Sequence, residues 1–459
     1  MKVPIRIARR LQGITISLLT AAAVAGVPSL PSAASRTWHV DANTLEFPRP
    51  EGLEPDIAFW KAIFTEYSQS ERVIHDADHL QVIYEVIDTS SDRTQSDRSR
   101  RIQAAIRRYQ EILESLAVKD AAERTREETR VAKLFEGIDG ARYSRAAFAV
   151  RSQPGLKEQF REGLIRSGRW QQAMIEIFEG YGLPPQIAFL PHVESSFNPV
   201  AHSKAAAVGI WQFTRGTGRQ YLRIGHDLDE RHDVLTATHA AARHLRDNHR
   251  RLNTWPLALT AYNHGAAGLE RAVEELGTRD IETIARTYRS RTFGFASRNF
   301  YVEFLAALDI ACHPEEFFGP IPFDPPVEET VLVLPQYFNL DALSRALRVS
   351  PSELSTMNPA LGRSFWRGSR PLPKGYALRI PKAIVPDPWF ALASVPDDSR
   401  WDEAPLPPTY RVQRGDTLSS ISSRFGVTVG DLKGANDMKG DRIYAGQTLH
   451  LPDGASNVR

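Results

Sequence analysis

The chain has 459 residues, which is enough for two or three domains, and its formal net charge is only +2. So small a charge argues against a nucleic-acid binder that relies on bulk positive charge. Hydrophobic residues make up 42% of the chain and charged residues 24%, so each domain can bury a sizeable core.

Residues 1–35 have the pattern of a secretory signal peptide. A basic start precedes the apolar stretch Ile14–Val27, and small residues follow around Ala33 and Ala34. The apolar stretch is short for a membrane span, and an uncleaved anchor is the alternative. The only cysteine is Cys312, so no cysteine near the leader can carry a lipid. We therefore expect export through a cleavable signal peptide, and not a lipoprotein.

Residues 36–140 are predicted to form an N-terminal helical region. Two helices are expected in residues 51–88, one around Phe59–Phe64 and one around Val82–Ile87, followed by a loop over Thr89–Ser99. An amphipathic helix follows, with apolar residues spaced by four and three at Ile102, Ile106, Tyr109, Leu113 and Leu116. This helix either packs on its own domain or forms a coiled-coil arm that pairs with an envelope protein.

Residues 141–320 are predicted to form a helical domain. Helices are expected within 155–179, from Pro184 to Glu194, and over Asp233–Leu252, Pro256–Tyr262 and Asn299–Ile310. The proline-rich sequence Pro320–Pro326 ends this domain.

A strand-helix-helix-strand pattern then occurs twice, in residues 327–382 and 409–453. Leu354 and Asn358 of the first copy correspond to Leu432 and Asn436 of the second. The intervening residues 383–408 are rich in Pro and Asp, which predicts a linker.

The stretch from His192 to Phe213 contains a single carboxylate, Glu194, and no other acid occurs between Ser195 and His226. Glu194 follows an apolar run, Ile187–Leu190. An acid at the end of an apolar helix is either a cap, a surface residue or a carboxyl group held in poor solvent. In the third case its pKa is raised and it keeps its proton near neutral pH, as a general acid requires. Ordinary glycoside hydrolysis uses two carboxylates, so a lone acid favours a one-carboxylate mechanism. Folding could still bring a distant acid close, and the candidates are Asp227, Asp229, Glu230 and Asp233.

Four motifs occur in order: E-S-S-F-N-P, A-x-S, A-x-G-I-W-Q and A-Y-N-x-G. In this order they resemble the catalytic domain of lytic transglycosylases, in particular the membrane-bound type D branch with C-terminal LysM modules. The resemblance implies a lysozyme-like α+β fold that cleaves peptidoglycan glycan strands and leaves 1,6-anhydro ends. It implies that Glu194 is the catalytic acid and then the base. It further implies substrate-binding roles for Ser203, Gln212, Tyr262, Asn263 and Tyr301.

Ala206 departs from a glycine that is common in the related enzymes, which puts the conformation of its loop in question. Structural alternatives exist for each of these side chains. Gln212 could be a buried structural amide, and Trp211 and Trp255 are better explained as core residues than as sugar platforms.

The second C-terminal copy, with the turn Gly415-Asp416-Thr417, resembles a LysM module that binds N-acetylglucosamine chains. The first copy lacks this turn and is predicted to be a degenerate module. The expected partners are therefore peptidoglycan strands, and the expected location is the periplasm, in association with the cell wall or envelope.

Five histidines lie close together in the sequence: His226, His232, His239, His244 and His249. Steps of five residues do not share a helix face and no H-E-x-x-H motif is present, so we expect no metal and no cofactor. The predicted fold class is mainly α, an α+β lysozyme-like domain with small βααβ modules. Two other functions stay open: a lysozyme-type hydrolase, and a non-catalytic peptidoglycan-binding scaffold.

Overall fold

The computed structural model describes residues 38, 40–138, 143–225, 227–368, 370–383, 385, 387–405 and 409–452. The predicted signal peptide and His226 lie outside these residues. The described chain is mainly helical with small antiparallel sheets, which confirms the predicted fold class. None of its described helices combines the length and the apolar character that a membrane crossing requires.

The N-terminal unit combines four helices with a three-stranded antiparallel sheet in the order β2-β1-β3. In chain order its elements are α1 (Glu54–Thr65), β1 (Glu71–Asp76), β2 (Ile83–Asp88), α2 (Gln95–Leu116), α3 (Arg126–Lys133), α4 (Tyr143–Ala149) and β3 (Val150–Pro154). Helix α1 does not belong to the core of this unit, because Ile57, Trp60 and Ile63 pack into the core of the central helical region.

The prediction of a helix around Val82–Ile87 is wrong. Residues Ile83–Asp88 form β2, which pairs along its length with β1. The segment is rich in β-branched and aromatic residues, and buried Val82 and Tyr84 are two residues apart, as on one face of a strand. Pairing in a sheet therefore outweighs the apolar cluster that suggested a helix.

The predicted amphipathic helix is confirmed as α2, although it begins at Gln95, inside the expected loop. Thr94 caps its first turn by accepting a hydrogen bond from the backbone N–H of Asp97. Tyr109, Leu113 and Leu116 are buried against the sheet in a core of their own. The apolar stripe is therefore covered, which supports packing within the domain and not a coiled-coil arm.

The central region consists of ten helices among the described residues, packed around one large core. They are α5 (Lys157–Ser167), α6 (Gln171–Gly180), α7 (Pro191–Glu194), α8 (Arg215–Gly218), α9 (Val234–Leu252), α10 (Trp255–His264), α11 (Ala266–Leu276), α12 (Ile281–Thr287), α13 (Phe295–Cys312) and α14 (Pro314–Phe318). Helix α13 is the centre of this core, since nearly all of its residues are buried and α1, α7 and α10 pack against it.

The C-terminal part contains the two predicted repeats, each closed by an antiparallel strand pair. The first comprises β4 (Glu329–Val333), β5 (Tyr337–Phe338), α15 (Leu340–Leu347), α16 (Pro351–Met357), α17 (Arg363–Trp366), β6 (Ala377–Pro381), α18 (Pro388–Ala393) and β7 (Arg400–Trp401). The second comprises β8 (Thr409–Arg411), α19 (Leu418–Phe425), α20 (Val429–Ala435) and β9 (Thr448–His450).

The repeat predicted from the sequence has a shared hydrogen-bond pattern. The amide of Asn358 donates to the carbonyls of Leu354 and Arg379 and accepts from the Arg379 N–H. The amide of Asn436 makes the same three bonds, with Leu432 and His450. Arg379 and His450 therefore occupy equivalent positions in the two copies.

Residues 388–401, which their composition assigns to a linker, fold against the first copy instead. Strand β7 pairs with β5, and Ala391 and Leu392 of α18 enter the core of the first copy. The prolines and aspartates that suggested a linker start helix α18, where Asp387 caps the first turn. The domain limits as a whole stay predictions.

The first copy is docked on the central region through residues 227–233. Asp229 donates its N–H to Ala360, and Gly362 donates its N–H to Asp227, at 2.8 and 2.6 Å. Arg379 donates to both carboxylate oxygens of Asp233, at 2.5 and 2.6 Å, and this pair is almost entirely buried. No ion pair of His450, at the equivalent position of the second copy, occurs among the described residues, so this contact belongs to the first copy.

We predict that Arg379→Met lowers the free energy of unfolding by about 3–5 kcal/mol, because it leaves the charges of Asp233 and Glu329 buried without their partner. The control is Arg251→Met, which breaks the exposed ion pair with Glu270 and is expected to cost about 1 kcal/mol or less. Denaturant unfolding of both variants measures the difference, and equal effects would contradict the assigned role of Arg379.

Candidate active site

Glu194 is the last residue of a short helical segment that apolar packing holds in place. A 3-10 helix, Pro185–Phe189, leads into α7, and each begins with proline in its first turn. The four residues Ile187–Leu190 are completely buried. This arrangement confirms the predicted apolar lead into Glu194, although the expected single helix is broken into two short segments.

The chain turns sharply directly after Glu194. Ser196 and Phe197 both have left-handed backbone conformations, with φ of 51° and 53°, which are strained for residues other than glycine. Arg166 of α5 donates to the Ser196 carbonyl at 2.7 Å, and Ser195 donates its hydroxyl to the Ile210 carbonyl at 2.8 Å. These bonds fix the turn from both sides, so the direction of the Glu194 side chain is set by α5 and by the loop around Ile210.

Glu194 is neither fully buried nor exposed as a residue, and its carboxyl group is removed from bulk solvent. Burial raises its pKa from 4.5 to about 8. No hydrogen bond or ion pair to this carboxyl group occurs within the part of the chain that the structure describes. An uncharged and unpaired carboxyl group can give its proton to a substrate that binds against it.

His192 does not supply a compensating charge. Its ring is enclosed by the rings of Phe160 and Phe197, and burial lowers its pKa to about 3. It is therefore neutral near pH 7, and it adds to the apolar surroundings of Glu194.

Tyr262 is the predicted residue whose surroundings are most clearly tied to Glu194. Its hydroxyl donates to the carbonyl of Trp211 at 2.7 Å. Burial raises its pKa well above 10, and the negative charge of an ionised Glu194 raises it further. Trp211 is itself completely buried and donates to Thr238, so it belongs to the core, as expected.

Ser203 and Gln212 lie in the loop of residues 201–213. The hydroxyl of Ser203 accepts from the N–H groups of Ala205 and Ala207, and the Gln212 amide donates to the carbonyls of Ala201 and Gly209. Both side chains therefore shape the loop and keep part of their hydrogen-bonding capacity for a substrate.

Ala206 has a φ of 58°, which glycine would adopt without strain. Arg231 compensates by donating to the carbonyls of Ala206 and Phe213 at 3.2 and 3.1 Å. Gly209 packs so closely on the backbone of Arg231 that a Cβ atom would lie 2.1 Å from its carbonyl oxygen. The loop is thus fixed by a residue of the segment on which the first C-terminal copy docks.

The other two predicted residues have different surroundings. Asn263 is exposed, and its carbonyl oxygen accepts from the hydroxyl of Ser297 at 3.1 Å. Tyr301 is buried and donates to the carbonyl of Pro48 at 2.7 Å. This contact favours a structural role for Tyr301, which anchors the N-terminal segment to α13, over the expected contact with substrate.

The sequence reasoning missed a second carboxylate, Glu303, on the neighbouring helix α13, which packs against α7. Burial raises its pKa to about 8, and the charge of Glu194 contributes to that shift. No hydrogen bond or ion pair of the Glu303 carboxyl group occurs among the described residues. The available signal was a charged residue between buried Val302 and Phe304 in an otherwise apolar helix.

The four acids that the sequence offered as second carboxylates are all engaged elsewhere. Each is paired with an arginine, at distances of 2.5–3.0 Å: Asp227 with Arg370, Asp229 with Arg231, Glu230 with Arg223 and Asp233 with Arg379. They hold the first C-terminal copy and the loop of residues 201–213. Among the described residues, no group of three His, Cys, Asp or Glu side chains is placed to bind a metal ion.

Two family models match parts of the chain. Residues 173–285 match the Transglycosylase SLT domain, and residues 410–452 match the LysM domain. The first range includes Glu194, Ser203, Gln212 and Tyr262 and ends before α13. The chain therefore contains an SLT transglycosylase domain and a LysM domain, which confirms the resemblance drawn from the motifs.

Similar proteins agree with both assignments. The chain is 30% identical over 289 residues to the membrane-bound lytic murein transglycosylase D of Escherichia coli (strain K12), covering 60% of this chain and 62% of that protein. It is 50% identical over 48 residues to an autolysin of Enterococcus faecalis (strain ATCC 700802 / V583), covering 10% of this chain and 6% of that protein. The chain thus spans less than two thirds of the length of the transglycosylase relative.

We predict that Glu194→Gln stabilises the protein increasingly as pH rises from about 4.5 to about 8. In that interval the folded chain holds a proton on Glu194 that the unfolded chain has lost. The free energy of unfolding of the wild type therefore falls with rising pH, and the amide removes this contribution. Denaturant unfolding of wild type and variant near pH 4.5 and near pH 8 measures this difference in the free energy of unfolding. Glu270→Gln, at an exposed ion pair, is the control and should show no such gain.

Proposed function

We propose that this chain is a peptidoglycan lytic transglycosylase that cleaves the bond between N-acetylmuramic acid and N-acetylglucosamine without consuming water. The observation that carries the proposal is the Glu194 carboxyl group, which is desolvated and has no hydrogen-bond or ion-pair partner among the described residues. The SLT domain and the transglycosylase relative support the same chemistry.

In the proposed reaction Glu194 gives its proton to the O4 atom of N-acetylglucosamine while the bond from C1 of N-acetylmuramic acid to that oxygen breaks. Positive charge develops at C1 and is shared with the ring oxygen or with the 2-acetamido group. The Glu194 carboxylate then removes the proton from the C6 hydroxyl of the same muramic acid, and O6 bonds to C1. The product carries a 1,6-anhydro end, and Glu194 regains its proton.

Four further side chains support this reaction in the proposal. The Tyr262 hydroxyl, near Glu194, keeps its proton at all relevant pH values because its pKa is raised. Ser203 and Gln212 lie in the loop of residues 201–213 and keep hydrogen-bonding capacity that could serve sugar groups. Asn263 stays a candidate contact because it is exposed next to Tyr262.

A lysozyme-type hydrolase is the second candidate, because Glu303 provides the second carboxylate that the sequence did not reveal. Such an enzyme needs one ionised carboxylate, as nucleophile or as base, beside the acid. The pKa values of Glu194 and Glu303 are both raised to about 8, so both groups are largely protonated near pH 7. A pair of carboxyl groups of which neither is largely ionised near pH 7 favours the transglycosylase over the hydrolase.

Mass analysis of products from purified sacculi tests the choice. A transglycosylase releases fragments with anhydro ends, which are lighter by one water than the reducing-end fragments of a hydrolase. A non-catalytic peptidoglycan-binding scaffold would release neither kind of fragment. We expect anhydro ends from the wild type, and reducing ends alone would contradict the proposal.

We predict that Glu194→Gln lowers turnover at least about 100-fold, because the amide cannot donate the proton. Glu303→Gln is the matched control, since it replaces the neighbouring carboxyl group and keeps Glu194. It should retain transglycosylation, whereas a loss as large as that of Glu194→Gln would point to the hydrolase.

We further propose that the LysM domain holds the enzyme on the cell wall and raises the local substrate concentration. In this domain Asp416 accepts from the Tyr410 hydroxyl and the Gln413 N–H, and Thr417 caps α19, so the Gly415-Asp416-Thr417 turn is well ordered. Its core contacts neither the core of the first copy nor that of the central region. The periplasm, reached through a cleaved signal peptide, is the proposed location.

Deleting residues 409–459 is predicted to weaken binding to sacculi while cleavage of soluble glycan fragments continues. The separate core of this domain is the reason, since its removal leaves the packing around Glu194 intact. Pelleting with sacculi and turnover of fragments measure the two effects. If the truncated protein pelleted as well as the full chain, the tether would be excluded.

A further inference from the structure

A groove of about 320 Å³ lies between the central region and the first C-terminal copy. The central region contributes Trp170 and Val200 to its lining, and the first copy contributes Val327 and Met357. Val200 and Val327 are 66% and 38% exposed, and Trp170 and Met357 are partly exposed, so a ligand can reach this apolar surface from solvent. Exposed apolar side chains that line a single groove, unlike scattered ones, indicate a binding site.

The groove adjoins the turn that follows Glu194. Val200 lies six residues after Glu194 in the sequence, so the two are at most about 20 Å apart. On the other side of this turn, Arg166 of α5 donates to the Ser196 carbonyl, and the chain leads directly from the end of α5 to Trp170. The elements that position Glu194 therefore also form one wall of the groove.

The charged side chains that line the groove are all paired. Arg379 binds both Asp233 and Glu329, and Arg169 binds Asp324 at 2.9 Å. An ionic ligand would have to compete with these pairs, so the groove favours a ligand without charge.

Two neutral polar side chains, His232 and Thr356, also line the groove. Burial lowers the pKa of His232, so its ring is neutral near pH 7 and has one donor and one acceptor nitrogen. No hydrogen bond of this ring occurs among the described residues. The Thr356 hydroxyl donates to the Ser352 carbonyl at 3.0 Å and can still accept a hydrogen bond. The groove thus combines apolar walls with a few polar groups, as small-ligand sites do.

We infer that this groove binds the glycan strand beyond the sugars at Glu194, with the apolar face of an N-acetylated sugar against Trp170 and Met357 and its polar edge at His232 and Thr356. The identity of the ligand rests on the proposed function, which supplies the substrate. The volume of the groove lies within the usual range of small-ligand sites, which suits a sugar better than an element of another protein. The first C-terminal copy thereby forms the second wall of the substrate groove.

Protection of introduced cysteines tests this inference at each wall separately. Cys312 is the only native cysteine and is buried, so an exposed cysteine reports on its own surroundings. The full-length Glu194→Gln protein, which should not turn over, carries either Val200→Cys or Thr356→Cys. The probe is a hexasaccharide of N-acetylglucosamine, which has no charge. At about ten times its Kd it should slow alkylation of both cysteines about 10-fold, because the bound sugar covers them.

Val118→Cys is the matched control for these two reporters. Val118 is 85% exposed and lies in the N-terminal unit, so its alkylation should not change with the hexasaccharide. Unchanged alkylation of both Val200→Cys and Thr356→Cys would overturn the inference. Protection of Val200→Cys alone would also overturn it, because the first copy would then take no part in binding.

Variants of the groove test the apolar contact. Trp170→Ala should raise the hexasaccharide concentration that half-protects Thr356→Cys at least about 10-fold, and Trp170→Phe should keep most of the affinity. Trp170 also packs on the central core, so Met357→Asp serves as a second variant, on the other wall, with the same expected loss. Trp389→Ala, at a 60% exposed tryptophan of the first copy outside the groove lining, is the matched control and should change nothing. Unchanged half-protection in both Trp170→Ala and Met357→Asp would refute the site.

A disaccharide that carries a peptide stem distinguishes the other part of the substrate. Protection of Thr356→Cys by this fragment but not by the hexasaccharide would assign the groove to the stem and overturn the glycan assignment. These measurements need no turnover, whereas the proposed transglycosylase is judged by the anhydro ends that the wild type releases. Failure of this inference and failure of the proposed function are therefore distinguished.

Discussion

Desolvation of the Glu194 carboxyl group is the constraint on which much of the described central region depends. The buried run Ile187–Leu190 brings the chain into the core, and the strained turn at Ser196 and Phe197 returns it to the surface immediately afterwards. Strain of this kind persists only where the surroundings impose it, and here Arg166 does so. The raised pKa of Glu194 is the chemical result of this geometry.

The segment of residues 227–233 connects that site to the C-terminal part. On one side Arg231 holds the backbone of the loop of residues 201–213, and on the other Asp233 receives Arg379 of the first copy. The two repeats share the Asn358 and Asn436 hydrogen-bond pattern but differ at the position of Arg379 and His450. The first copy thus supports the region that contains the SLT domain, whereas the second keeps a core of its own and matches the LysM domain.

The sequence predicted what depends on local pattern and missed what depends on distant contacts. Glu194 could be found because its apolar lead and the motifs around it are adjacent in the chain, and Asn358 and Asn436 could be matched by their spacing. The strand Ile83–Asp88 was misjudged because its partner strand decides its conformation. The proximity of Glu303 to Glu194 could not be predicted for the same reason, since only the packing of α13 on α7 brings the two residues together. The contact of Tyr301 with Pro48 likewise spans most of the chain.

In the proposed reaction Glu194 serves first as the proton donor and then as the base, and the charge state of Glu303 affects both steps. Once Glu194 has given up its proton, its negative charge raises the pKa of Glu303, so Glu303 stays neutral. The site then carries one negative charge at the moment when positive charge develops at C1. The two charges attract each other across a poorly solvated space, which stabilises the developing positive charge. A second ionised carboxylate would compete for that positive charge and could attack C1 itself. In the proposed reaction, a neutral Glu303 therefore leaves the C6 hydroxyl as the nucleophile, with Glu194 as the base that accepts its proton.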